Sequence, residues 1–382
     1  MVRFGTACVG ADAGAAAAAP ADATEAVSTS TESSHAGVRR RRGSTEVTRA
    51  VSAAAASDLN RGRPIGRYGA HVTLAWVPYD DWAVDITLPS GVEVEVWRGG
   101  LPLPPGRDRV EFYVPDYLGA ADTIDVIARL PALRVVQTLT AGVDNVLAAV
   151  PSGVTLCNAS GVHDASTAEL AVGLTIASLR GLPGFVRAQR EGEWAPEFRP
   201  ALADRTVIVV GWGSVGQAIG RRLAPFDVSV VPVASRPRPG VHGVDELAAL
   251  LPHADVVILA VPLTPATRGL VDARFLGVMR EGALLVNVAR GAVVDTDALL
   301  AQLRAGRLSA ALDVTDPEPL PTGHSLWQAP NLLISPHVGG NTTAYRPRAA
   351  RLVSEQLARF AAGQPLANVV VPGSAGRSPV AE

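Results

Sequence analysis

Residues 205–216 read Arg205-Thr-Val-Ile-Val-Val210-Gly-Trp-Gly-Ser-Val-Gly216. An apolar, β-branched run that enters a glycine turn and continues into a helical stretch is the setting in which a βα unit holds a dinucleotide pyrophosphate. Gly211 permits the tight turn, Gly213 lets the backbone approach the phosphates, and Gly216 lets the helix pack close on its strand. The helix start at Ser214 and Val215 offers free N–H groups and the positive end of a dipole to the anion. Glycine turns also occur for structural reasons alone. The strand before this one and the helix after it, from 214 to about 223, are what point to a nucleotide.

Outward from the turn, apolar runs read as strands at 71–77, 92–96, 110–114 and 134–138, with a helical stretch near 123–130. A longer helix is expected at 167–180, capped by Asp164-Ala-Ser-Thr167. Beyond the turn, strands at 228–233, 255–260, 283–287 and 309–312 continue the alternation, and 354–361 reads as a closing helix. Alternating strands and helices argue for parallel sheets. The expected fold class is therefore α/β, with two Rossmann-like or flavodoxin-like parallel-sheet domains, the cofactor domain inserted in the substrate domain. Its expected bounds are 67–165 with 337–372 for the substrate domain, 166–336 for the NAD(P)-binding Rossmann domain, and 373–382 for a loose C-terminal end.

The first 66 residues differ from the rest: an alanine run at 13–19, a Ser/Thr-rich stretch at 28–34 and four arginines at 39–42, with few large apolar side chains. Such a segment cannot offset its ordering entropy and reads as a disordered tail. Its arginine block reads either as a solvated tail or as a nucleic-acid or targeting patch. At 382 residues the chain should form about two or three domains. Net charge is −2, so no polyanionic partner is implied, and neither nucleic acid nor membrane is expected as a partner. All 34 basic residues are arginine, which excludes a lysine Schiff base and a phosphate-binding P-loop lysine. The two cysteines, Cys8 and Cys157, are too few for a disulfide framework or a thiolate metal site. Residues 1–10 have no long apolar core and no run reaches the length of a membrane span, so a cytoplasmic protein is expected.

Four further segments carry chemistry: Ala141-Gly142-Val143-Asp144-Asn145, Asn287-Val288-Ala289-Arg290-Gly, Ala311-Leu-Asp313-Val-Thr-Asp-Pro-Glu318-Pro, and Asn331-Leu-Leu-Ile-Ser-Pro-His337-Val-Gly339-Gly340. With the glycine turn, they resemble in order and spacing the D-isomer-specific 2-hydroxyacid dehydrogenases, glyoxylate/hydroxypyruvate reductase-like members included. The resemblance covers roughly residues 71–370. It implies an NAD(P)-dependent oxidoreductase with Arg290, Glu318 and His337 as its catalytic residues. It implies substrate-carboxylate contacts from Ala141, Gly142, Val143 and Arg290. It also implies cofactor contacts from Gly211, Gly213, Ser214, Val215, Gly216, Ser235, Arg236, Val261, Pro262, Val288, Ala289, Asp313, Gly339 and Gly340. Asp313 matches the acceptor for the nicotinamide amide, and Val261-Pro262 would flank the adenosine. The 167–180 helix and the segment around Trp194 resemble the family's dimer interface, which implies a homodimer.

The residue types suit this reading. A 2-keto acid needs a cation for its carboxylate, a hydride donor, and a proton donor for its carbonyl oxygen. Arginine binds a carboxylate through a planar fork, and a histidine donates a proton near neutrality. A carboxylate beside a histidine favours the imidazolium. Taken singly, Arg290 reads equally as a helix-end ion pair, His337 as a loop histidine and Glu318 as a solvated acid. His163, before the 167–180 helix, could line the cleft without being catalytic. No residue cluster has metal-ligand spacing.

One departure from the NAD-preferring pattern stands out. About 20 residues past the glycines, where an acid would hold the ribose 2′-hydroxyl, the chain reads Val233-Ala234-Ser235-Arg236-Pro-Arg238. A hydroxyl and two cations suit a 2′-phosphate, so NADP(H) is favoured over NAD(H). The substrate's side chain is expected near Tyr113-Val-Pro115 and Trp97-Arg98. No regulatory domain is expected after residue 372, which disfavours long phosphoglycerate dehydrogenases. Two other readings stay open on this fold, a phosphite dehydrogenase-like enzyme and a corepressor-like protein that senses NAD(P). Glu318 counts against formate dehydrogenase, whose histidine resembles a glutamine-paired one.

Overall fold

The structure is a computed structural model and describes residues 72–374 apart from 81, 83–85, 118 and 120. The tail read at 1–66, with Cys8 and the arginine block, lies outside the described residues, as does the C-terminal end beyond 374.

The first sheet is built from β1 (Thr73–Val77), β2 (Val92–Val96), β3 (Val110–Tyr113), β4 (Val135–Gln137) and β5 (Thr155–Cys157). Strands β1 and β3 are buried along their whole length, as expected of parallel strands covered on both faces. Strand β2, Val-Glu-Val-Glu-Val, alternates because it is an edge; its Glu95 accepts a 2.9 Å hydrogen bond from the Trp76 indole. One short helix, α1 (Asp122–Asp125), lies between β3 and β4.

The chain then leaves through α2 (Asp164–Leu179) and α3 (Leu182–Glu191). Gly181, at φ 66°, makes the bend between them. Helix α2 is apolar around most of its girth because it is a core helix: Ala168, Ala171, Val172 and Leu174 pack with Val207, Val209, Ala218 and Ile219. Among the described residues, no single helix is long and apolar enough to cross a membrane.

The second sheet follows: β6 (Thr206–Val210), α4 (Ser214–Leu223), β7 (Ser229–Ala234), β8 (His242–Gly243), α5 (Leu247–Leu250), β9 (Val256–Leu259), α6 (Ala273–Val278), β10 (Leu284–Asn287), α7 (Thr296–Arg304), β11 (Ser309–Leu312) and β12 (Leu332–Ile334). Pro232 is tolerated in β7 because β8 pairs only with Val233 and Ala234, so no ladder bond is lost. The chain returns through α8 (Tyr345–Ala361) to β13 (Val369–Val371), which pairs antiparallel with β5. Every strand of the second sheet thus lies, in sequence, between strands of the first.

Two places for ligands follow from the strand orders. The first sheet runs β13-β5-β4-β3-β1-β2 and the second β12-β11-β10-β9-β6-β7-β8. In each, order reverses once, between β1 and β3 and between β6 and β9, and ligands of open parallel sheets bind beyond the strand ends at such points. The loops there are 114–117 after β3, the glycine turn after β6, and Val261-Pro262 after β9.

Candidate active site

The glycine turn behaves as its residues require. Gly211 has φ 102°, and a Cβ there would run into the Ala260 carbonyl at the end of β9. A Cβ on Gly216 would collide with the Gly211 carbonyl, so this glycine brings α4 onto its strand. Around Gly213 nothing lies within 4 Å of a Cβ position, which leaves room for a phosphate at the N-terminus of α4. The Ser214 hydroxyl donates to Asp164 at 3.2 Å, joining this turn to the start of α2.

At the end of β7 no carboxylate follows Ala234. Arg238 donates to the Trp212 carbonyl at 3.1 Å, which draws the basic loop against the glycine turn. Ser235 and Arg236 are exposed, and neither has a hydrogen-bond or ion-pair partner among the described residues.

The second strand-end element is built on buried Asn287. Its side-chain amide donates to the Arg290 carbonyl at 3.0 Å and its carbonyl oxygen accepts from the Ala289 N–H at 3.0 Å. This bracket shapes residues 288–290 and aims Arg290 across to the first sheet. There its guanidinium lies against Gly142, where any Cβ would collide with it, and donates to Asp144 at 3.3 Å. The backbone N–H groups of Gly142 and Val143 have no acceptor among the described residues. The Arg290 guanidinium thus lies beside a turn with two N–H groups that have no acceptor among the described residues. Gly291 is required beside Arg290, because a Cβ there would enter the Thr315 carbonyl.

Asp313, following β11, is 3% exposed and organises the last loop. Its carboxylate accepts from the Ser335 hydroxyl (2.7 Å), the Val338 N–H (2.9 Å) and the Gly339 N–H (2.9 Å), while its carbonyl accepts from the His337 N–H (2.7 Å). A carboxylate has about four acceptor sites, so these three bonds leave one open. These bonds hold His337 in the left-handed region at φ 51°. His337 Nδ1 is 2.5 Å from Glu318 Oε1. A carboxylate only accepts, so Nδ1 carries the hydrogen and Nε2 stays outside this pair. Both side chains are about one-third exposed, at 33% and 37%.

Two of the residues expected near the substrate's side chain are buried in the core. Tyr113 is wholly buried: it lies edge-on to Trp76 and tilted against Trp97, and its hydroxyl donates to the Thr123 carbonyl at 2.8 Å. Trp97 is buried too, stacked on Trp76. Both face the core because they sit within or at the end of strands. Tyr117, four residues past Tyr113, is half-buried on the loop after β3. Its ring stacks on His163 and packs against Tyr345, and its hydroxyl lies 2.6 Å from where a Cβ of Gly340 would stand. No motif marks Tyr117, and only the loop's place at the strand-order reversal points to it. Among the described residues, no group of three or more His, Cys, Asp or Glu side chains is arranged to hold a metal ion.

Comparison with known proteins agrees with this geometry. Residues 172–339 match the family model described as D-isomer specific 2-hydroxyacid dehydrogenase, NAD binding domain. The chain is 36% identical over 308 residues to glyoxylate reductase/hydroxypyruvate reductase of Homo sapiens, covering 74% of this chain and 92% of that protein. It is 34% identical over 263 residues to D-3-phosphoglycerate dehydrogenase of Methanocaldococcus jannaschii, covering 66% of this chain and 50% of that one, so it spans only half the length of this relative. The structure of a D-isomer specific 2-hydroxyacid dehydrogenase from Xanthobacter autotrophicus Py2, in complex with NADPH and MES, superposes with a TM-score of 0.68 at 32% identity, covering 79% of this chain and 99% of that one. The chain belongs to the D-isomer-specific 2-hydroxyacid dehydrogenase family, as an NAD(P)-dependent member.

Proposed function

We propose that this enzyme reduces a small 2-keto acid to the D-2-hydroxy acid, with NADP(H) as its favoured cofactor. The observation that carries the reading is the pairing of two devices across one cleft, the Arg290 guanidinium against Gly142 and the His337–Glu318 pair. Arg290 with the N–H groups of Gly142 and Val143 binds the substrate carboxylate, and Ala141 lines the same turn. His337 gives the proton on Nε2 to the carbonyl oxygen as that oxygen gains charge. Glu318 fixes the imidazole's tautomer through Nδ1 and stabilises the imidazolium before transfer. When bound, the nicotinamide supplies the hydride. Asp313 with the Val288-Ala289 backbone and Gly339-Gly340 orients that ring. Gly211, Gly213, Ser214, Val215 and Gly216 hold the pyrophosphate, Val261 and Pro262 flank the adenosine, and Ser235 and Arg236 hold the 2′-phosphate. Reduction takes up a proton overall and oxidation releases one, so rising pH shifts the balance toward oxidation.

The reading extends to a cytoplasmic homodimer. Leu182 and Val186 on α3 are about half exposed, and Trp194 and Phe198 just past it are almost fully exposed, which supports burial against a second copy.

The test is a turnover assay of glyoxylate, hydroxypyruvate and pyruvate with NADPH and with NADH. The expected outcome is 2-keto acid reduction that is more efficient with NADPH. NADPH binding without turnover of any keto acid would contradict the reading.

A further inference from the structure

An acid stands at the phosphate end of the glycine turn. The hydroxyl of Ser214, the first residue of α4, donates to Asp164 Oδ1 at 3.2 Å, and the same oxygen accepts from the Gly161 N–H at 3.3 Å. The Ser160 hydroxyl lies 3.4 Å from the Ser214 hydroxyl. A carboxylate can only accept, so the Ser214 hydrogen goes to Asp164 and the Ser160 hydrogen to the Ser214 oxygen. This chain of hydroxyls ends on the carboxylate and leaves neither hydrogen for an incoming anion. Ser160 is itself braced: its N–H donates to Asn158 Oδ1 at 3.1 Å, and its carbonyl accepts from the Asn368 amide at 3.0 Å.

The Asp164 carboxylate has no ion-pair partner among the described residues. The cation that α4 extends toward α2, Arg222, is committed to Glu169 at 3.2 Å. The charge of Asp164 is held instead by the start of its own helix, since α2 begins at this residue. The space over Gly213 is open, so an anion can reach the Ser214 N–H. A ligand atom on that N–H is separated from Asp164 by two hydrogen bonds and one serine side chain, at most about 9 Å. That is comparable to the screening length of about 8 Å at physiological salt and well inside the roughly 30 Å of dilute buffer. Two like charges at that range, near a protein surface, repel by enough to change affinity about tenfold.

We propose that Asp164 sets the residence time of the dinucleotide, as an internal anion that opposes its pyrophosphate. It keeps the Ser214 hydroxyl off the phosphate and adds a like charge beside it. The dinucleotide therefore leaves faster than the glycine turn and the α4 dipole alone would allow. Every turnover ends with exchange of the oxidised for the reduced form, and the pyrophosphate is common to both. A weaker grip on that shared part favours exchange without disturbing the ends that carry recognition and chemistry. The effect is the same for NADPH and NADH, so it is separate from the choice made at Ser235 and Arg236. This inference rests on the reading above that the glycine turn holds the pyrophosphate.

The experiment titrates NADPH and NADH by fluorescence into the full chain and its Asp164→Asn and Asp164→Ser variants, at about 10 mM and about 1 M salt. Dissociation rates are read by stopped flow. Asparagine keeps an acceptor for Ser214 and Gly161 and removes the charge; serine also shortens the side chain and stands in if the first variant does not fold. In dilute salt the dinucleotide should bind about tenfold more tightly to the variants, through slower dissociation. The gain should shrink to about twofold at high salt, where the screening length falls to about 3 Å. A residue that only braced the turn would give the opposite sign, because its loss loosens the start of α4. Affinity within about twofold of the parent's, or weaker, in the folded variants at low salt overturns the proposal and leaves the cofactor reading intact. A gain that persists undiminished at high salt also overturns it, since charge would not then be its cause. A parent protein that binds neither dinucleotide overturns both.

Discussion

His337 Nδ1 lies 2.5 Å from Glu318 Oε1, on a histidine backbone held at φ 51°. A non-glycine residue in that region costs about 1–3 kcal/mol and persists only where its surroundings over-determine it. Here Asp313 does so, through its carboxylate on the Ser335, Val338 and Gly339 donors and its carbonyl on the His337 N–H. The strained backbone thus belongs to the residue whose Nδ1 sits on the Glu318 carboxylate. Replacing Glu318 by glutamine keeps the size and removes the charge. Since hydrogen bonds to charged groups contribute about 1.5–3 kcal/mol, kcat for reduction should fall about 10- to 100-fold. NADPH affinity, read by fluorescence titration, should not change. An unaltered kcat would remove Glu318 from the mechanism.

Gly142 is the floor on which the Arg290 guanidinium lies. In Gly142→Ala the new methyl displaces that guanidinium, and with it the carboxylate anchor. KM for the keto acid should rise by about tenfold or more, the scale of one charge-assisted contact, with cofactor affinity preserved. Steady-state kinetics on one substrate reads this directly. An unchanged KM would mean that the carboxylate binds elsewhere.

Arg236 is exposed, has no partner among the described residues and follows a strand end that lacks an acid. Arg236→Asp supplies the acid that a ribose 2′-hydroxyl prefers and repels a 2′-phosphate. The ratio of kcat/KM for NADPH over NADH should fall by about 10- to 100-fold, given the strength of an arginine–phosphate contact. A parent enzyme that already prefers NADH would contradict the assignment before the variant is made.

His163 gives a pH signature in stability that is separate from catalysis. Burial lowers its folded-state value below the unfolded one, against opposing contributions from the Leu139 and Gly340 backbone and from Asp164, with Arg348 acting in the same direction as burial. Between the two values the unfolded chain binds more protons, so stability rises with pH there. The contribution is present above the unfolded value of about 6.5 and is lost as pH falls through the folded one. Melting curves of the parent and His163→Gln should therefore diverge in slope below about pH 6.5, with the variant flatter. Parallel slopes would mean that His163 is not held neutral by burial.

Much of this was legible because its signals are local. The glycine turn carries its own conformational demands, and the strands of the second sheet are continuous apolar runs, as burial on both faces requires. Arg290, Glu318 and His337 were legible through the spacing of their motifs. Helices α6 and α7 carry local start signals of the same kind: Asp272 and Asp295 stand at their starts and accept from the Phe275 and Ala298 N–H groups. The closing helix begins at Tyr345, nine residues before the expected 354, because Pro347 falls in its first turn, where a missing N–H costs nothing. Three-residue strands such as β5 and β13 are too short to show a period. Tyr117 and His163 were not legible as a pair, since they come from different elements and meet only when α2 and the loop after β3 fold against Gly340.

The central claim is that His337 delivers the proton, and His337→Ala tests it most directly. NADPH-dependent hydroxypyruvate reduction is followed by the loss of nicotinamide absorbance, alongside the Kd for NADPH. General acid catalysis contributes about 10²–10⁴-fold, so kcat should fall within that range with the cofactor Kd unchanged. Turnover close to the parent's, with NADPH bound as tightly, would contradict the account.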